Sequence, residues 1–172
     1  MFKLIKNGRI VSAPWRTLTL AEGDTSHSVR LPVGPVLVPL SVWQARRAEL
    51  IHREYEHGWP LGIWLAAEEN AEEIEHDIDD FTVIAIEFDK FTDGKGLSSV
   101  RLLRERYGYE GELRAIGDVP LDWLAFQHHV HFDSFAVSEI KNTNRIDGAV
   151  LSGWFNFNSD NQSERLAVAG LI

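Results

Sequence analysis

The chain has no cysteine. This excludes disulfides, thiolate nucleophiles, persulfide carriers and cysteine-ligated iron–sulfur clusters. Long apolar runs are also missing. The longest, Gly34 to Leu40, is broken by prolines and falls well short of the roughly 18 residues of a membrane-spanning helix. A soluble protein with no membrane partner is expected. The segment Met1-Phe2-Lys3-Leu4-Ile5-Lys6-Asn7-Gly8 alternates lysine with apolar residues and turns at once, unlike the continuous apolar segment of a secretory signal. The expected location is therefore cytoplasmic. Basic charge is scarce as well. With 26 acidic against 17 basic residues the formal charge is −9, and so acidic a protein repels polyanions such as DNA. Nucleic acid is not an expected partner.

What is present suffices for one sizeable core: 172 residues, 44% of them hydrophobic. The expected organisation is a single α/β domain over residues 1–172, with an N-terminal hairpin and loop (1–34), a core of βα repeats (35–138) and a weakly helical C-terminal segment (139–172). Asn7-Gly8 tolerates the positive φ angles of a tight hairpin turn and lies between Phe2–Lys6 and Arg9–Val11. Residues 12–34 carry Pro14, Gly23, Pro32 and Gly34 without sustained periodicity and read as loop.

From Pro35 onward, short apolar runs alternate with longer helical stretches. The predicted strands are Val36–Val38, Leu61–Leu65, Val83–Ile86, Leu113–Ile116 and Phe135–Val137. Between them, Ser41 with Gln44 and Asn70 with Glu73 match capping boxes, while Gly58 and Gly108 suit helix stops. Apolar stripes at Ile74, Ile78 and Phe81, at Leu97, Val100 and Leu103, and at Leu121, Leu124 and Ala125 predict core-facing surfaces. Strands separated by helices imply right-handed crossovers and a mainly parallel sheet, either open or a partial barrel.

In such sheets, ligands gather at the loops that leave the carboxyl ends of the strands. The loop after the third of these strands, Glu87 to Gly96, leads into a helix with Ser98, Ser99, Arg101 and Arg104. Glycines admit close backbone approach, a helix start offers free N–H groups, and Lys95 adds positive charge. Thr92, Asp93, Gly94, Lys95, Gly96 and Arg101 are thus the candidate anion- or partner-binding residues, and Asp93, Lys95 and Asp118 the candidate catalytic ones. The plainer alternative is that Asp93 caps the helix and the glycines make the turn. Glu87 could join Asp93 and Asp118 as a carboxylate pair for acid–base work, although Asp118 before Val119-Pro120 also reads as a helix N-cap.

No cofactor or metal is expected. Gly94 to Ser99 departs from a dinucleotide fingerprint, with Ser99 at its third glycine position, and Gly96-Leu97 departs from a phosphate loop. His128, His129 and His131 are the one histidine cluster, and a metal site would need a further ligand. The tryptophans read as packing residues.

The stretch Lys90-Phe91-Thr92-Asp93-Gly94-Lys95-Gly96, then Arg101-Leu102-Leu103-Arg104-Glu105-Arg106-Tyr107-Gly108-Tyr109 and Gly111-Glu112-Leu113-Arg114-Ala115-Ile116-Gly117-Asp118-Val119, resembles the bacterial family known as domain of unknown function 934. The similarity is dense from about Pro35 to Phe135. The resemblance implies a place in sulfur assimilation, because members are typically encoded beside assimilatory sulfite reductase. It suggests a non-redox accessory role, with sulfite reductase or another sulfur-assimilation protein as partner or a small oxyanion as ligand. A small-molecule enzyme and a structural homo-oligomer are the alternatives. The oxidoreductase label carried by some members finds neither a nucleotide loop nor a redox thiol here. The chain also departs from the family pattern: Leu121 and Trp123 stand where arginine and glutamine are common, and His129-Val130-His131 where Arg-Cys-Gly is common.

Overall fold

A computed structural model describes residues 2–7, 9–12, 14–89, 93–119 and 131–138. Its strands are β1 (Phe2–Lys6), β2 (Arg9–Val11), β3 (Arg16–Thr17), β4 (Val36–Pro39), β5 (Leu61–Leu65), β6 (Val83–Phe88), β7 (Glu112–Gly117) and β8 (Ser134–Ser138). They form one sheet in the order β2-β1-β8-β7-β6-β5-β4-β3. From β3 to β8, each strand lies parallel to the next in the chain. β1 pairs antiparallel with both β8 and β2. Winding always in one direction curls the sheet into an open half-barrel, as expected from the sequence.

The helices cover the convex side. α1 (Leu40–His57) follows β4 without an intervening loop and buries Leu40, Val42, Trp43 and Leu50. α2 (Asp93–Arg101) runs into a single π-helical turn, Leu102–Arg106. No helix of the described residues is long and apolar enough to cross a membrane. Alternate strand residues point to opposite faces, and those facing the helices form the main core: Val36 and Val38, Leu61, Ile63 and Leu65, Ile84, Ile86 and Phe88, Leu113 and Ala115, Phe135 and Val137. At about 25 cal/mol per Å2 of apolar surface removed from water, this face is the principal source of stability.

Several local expectations need correction. Neither capping box forms: α1 begins at Leu40, with Pro39 as its N-cap and no side-chain cap. Gln44 instead reaches Glu73 across the surface, at 3.5 Å. Asn70 and Glu73 begin a 3-10 turn (Ala71–Ile74), followed by a second (Ile78–Asp80), where an α-helix was predicted. Ile74, Ile78 and Phe81 are still buried. The chain breaks at Asp77, whose carboxylate accepts the Trp43 indole N–H at 2.8 Å. The region read as loop contains the short strand β3. Gly58 and Gly108 do follow helices with φ of +63° and +68°, and Val100 and Leu103 are buried as predicted. The stripe at Leu121, Leu124 and Ala125 and the C-terminal segment 139–172 lie outside the described residues.

Candidate functional site

The carboxyl ends of β5, β6 and β7 gather the loops nominated from the sequence. Lys95, in the first turn of α2, donates its ammonium to the Glu68 carbonyl in the loop after β5. Asp118, just past β7, donates its backbone N–H to the Phe88 carbonyl at the end of β6, at 2.8 Å. These contacts put Lys95 and Asp118 on one edge, although no ion pair joins them among the described residues. Gly96 is buried because α2 presses on β6: a Cβ there would lie 2.3 Å from the Phe88 ring. Its close approach therefore serves packing. Gly117 has φ of +84°, and a Cβ there would lie 2.4 Å from the Phe88 carbonyl oxygen, so side chains are excluded from that turn.

Gly94 is exposed, and its carbonyl accepts the Ser98 hydroxyl at 3.0 Å. Arg101 is exposed and pairs with Glu105 one turn along, at 3.4 Å. Thr92 and the side chain of Asp93 lie outside the described residues, as do His128 and His129. His131 approaches Glu105 at 3.9 Å, and no group of three ligands that could hold a metal occurs among the described residues.

The electrostatics of this edge are acidic. Burial raises the Glu87 pKa above the ordinary carboxylate range, and the neighbouring charges of Glu68, Asp89 and Glu69 raise it further. Glu69 is raised chiefly by burial too, despite accepting the Ala66 N–H at 2.7 Å. Lys95 stands on this acidic edge with its ammonium already on a carbonyl.

The concave face holds a second constellation. Strand register places its residues in rows: Gly62, Val83 and Glu112; then Trp64, Ala85, Arg114 and Ser134; then Glu87 and Ile116. In the first row, at the amino end of β7, Glu112 binds two cations. Lys6 Nζ donates to Glu112 Oε2 at 2.6 Å, and Arg114 donates to Oε1 through Nε at 3.0 Å and Nη2 at 2.6 Å. Ser134 donates its hydroxyl to the same Oε1, at 2.6 Å. Burial alone would raise the Glu112 pKa, but these donors prevail and hold it below the usual range. Arg114 is only 4% exposed, and its guanidinium lies 5.8 Å from the Trp15 ring centroid.

Beside this network the curl of the sheet encloses a cleft of about 690 Å3, whose wall includes Leu4, Trp15, Leu37 and Ile116 together with Glu87 and Arg114. A mostly apolar concavity with a few polar groups is the usual form of a small-molecule site. The sequence reading considered Glu87 but missed Trp15, Lys6, Glu112 and Arg114. A signal for the last two was available: Glu112-Leu113-Arg114-Ala115-Ile116 alternates charged and apolar residues within a strand otherwise buried.

The family model described as "Bacterial protein of unknown function (DUF934)" matches residues 62–164. The chain belongs to that family. No curated protein matches it.

Proposed function

For a member of this family, we propose a non-redox accessory role in sulfur assimilation, exercised by binding a small molecule in the concave cleft at the carboxyl edge of the half-barrel. The resemblance supplies the process. The cleft, with Glu87 and Arg114 in its wall, is the observation that carries the mode of action. Of the occupants suggested for the Thr92–Gly96 loop, a simple oxyanion is disfavoured by the acidity of this edge, where Glu68, Glu69 and Asp89 all act on Glu87. A partner such as sulfite reductase would dock at this same edge, where a ligand in the cleft could be sensed or passed on.

The raised pKa of Glu87 beside a cavity favours a second reading, an enzyme in which this carboxyl exchanges a proton with the bound molecule. Both readings require the cleft. The test is growth of a deletion strain on sulfate or sulfite as sole sulfur source, with cysteine as the control. The wild-type gene should restore growth, and a variant with the cleft filled, Ala136→Trp, should not, although it melts as the wild type does. Equal growth of the deletion strain on every sulfur source would remove the sulfur-assimilation role.

A further inference from the structure

The charges that line the concave face are unevenly matched. Glu112 serves both Lys6 and Arg114, so this trio carries one net positive charge. Arg114 uses Nε and Nη2 on Glu112, and its remaining nitrogen, Nη1, has no hydrogen-bond acceptor among the described residues. A guanidinium that is 4% exposed and forms part of the cleft wall is thus left with donor capacity at the cavity. The carboxylate of Glu87, also in the wall, has neither a hydrogen bond nor an ion pair among the described residues.

These two groups do not satisfy each other. Arg114 stands opposite Ala85 in the register, two residues short of Glu87. One strand across and two residues along separates their backbones by about 8 Å. A ligand between them needs an acceptor for Arg114 and a donor cation for Glu87, set close together. A ligand with one charge alone would leave either the Nη1 donor of Arg114 without an acceptor or the Glu87 carboxylate without a cation, which is costly away from water.

Resting on the cleft-binding reading above, we infer that the cleft takes a small zwitterion of the α-amino-acid class, its carboxylate on Arg114 and its ammonium on Glu87. The ammonium and carboxylate of an α-amino acid are one carbon apart, so with charge-assisted bonds of about 2.8 Å at each end one such molecule can reach both side chains from within the cleft. The apolar wall of Trp15, Leu37 and Ile116 accommodates an uncharged side chain, and the volume of about 690 Å3 leaves room for a large one. Sulfite and other simple anions answer only the arginine, and simple amines only the glutamate.

The experiment is calorimetric titration of the full chain with each proteinogenic L-amino acid, followed by the decarboxylated amine and the deaminated acid of the tightest binder. The expected result is an apolar amino acid that binds at least about tenfold more tightly than either counterpart, a difference of about 1.4 kcal/mol. Glu87→Gln should lose at least tenfold for the amino acid, leave the deaminated acid unchanged and melt no lower than wild type. Absence of binding by every amino acid overturns the inference, as does unchanged affinity in Glu87→Gln. If an amine or an acid alone binds, and Ala136→Trp abolishes that binding, the zwitterion is wrong but the cleft-binding reading stands. If nothing binds and Ala136→Trp restores growth as wild type does, both fall.

Discussion

The two faces of the half-barrel are built from the same strands, one residue apart, yet they differ in kind. The convex face is continuous and apolar, sealed by α1, α2 and the 3-10 turns. Among the described residues the concave face has a small apolar cluster of Leu37, Val83 and Ala85, with Trp15, Trp64 and Ile116 packed on it, interrupted by Glu112, Arg114 and Glu87. Buried ion pairs are weak contributors to net stability. Their concentration on one face separates a surface that holds the fold from one that contributes less to it.

Substitutions on each face can break that contrast. The largest loss is expected on the convex face: Phe135, which is fully buried and packs on Phe132 with ring centroids 5.8 Å apart, should cost about 4 kcal/mol as Phe135→Ala in chemical denaturation. On the concave face, Glu112→Gln should cost about 3 kcal/mol, because a buried guanidinium loses its carboxylate. Replacing Glu112 and Arg114 together with leucine should cost less than that single change. If the double variant were the worse of the two, the network would belong to the stabilising machinery and the contrast would collapse.

The Glu112 effect also has a pH signature. Its folded pKa lies below the ordinary value, so its contribution is present above the unfolded carboxylate pKa of about 4.3 and is lost as pH falls through the lower folded value. The deficit of Glu112→Gln, followed by melting at a series of pH values, should therefore shrink on acidification from neutrality. Glu87 has the opposite sign, because its folded pKa is raised. The folded state binds that proton more tightly than the unfolded one, so ionisation near pH 7 costs stability that returns as pH falls. Glu87→Gln should melt at or above the wild-type temperature at neutral pH, and a lower melting temperature would show that the carboxylate is held by a stabilising partner.

Smaller effects are expected at the carboxyl edge. Gly96→Ala should cost about 2 kcal/mol through overpacking against Phe88. Lys95→Ala should cost less than about 0.5 kcal/mol, since its ammonium ends on an exposed carbonyl contact. A Lys95 variant that melts normally but fails to restore growth would return the Thr92–Gly96 loop to the centre of function, ahead of the cleft.

The core strands were legible because each is a short apolar run bounded by breakers, as in Val83–Phe88. The parallel arrangement followed from the spacing between them. Asn70 to Asp80 misled because Ile74, Ile78 and Phe81 keep a helical period, and the sequence does not show that the Asp77 carboxylate is committed to Trp43. At Gly96 the residue was legible but its reason was not: the constraint is the Phe88 ring below it. The cleft was the least legible feature, because it depends on the curl of the whole sheet, which brings Leu4 and Trp15 to the same cavity as Arg114.

The strand order also has a consequence for the time course of synthesis. β4, β5, β6 and β7 each pair with the strand that follows, so the parallel sheet can grow in step with a ribosome adding about 5–20 residues per second. β1 cannot join it, since Phe2 pairs with Ser138 and Lys6 with Ser134. The hairpin of β1 and β2 is made before these strands and must wait for β8 before it docks. During that delay its free edge is exposed to other nascent strands, and Lys3 and Lys6 are the kind of charges that discourage such pairing. The cleft, with Leu4 in its wall, is consequently completed only once β8 has been made.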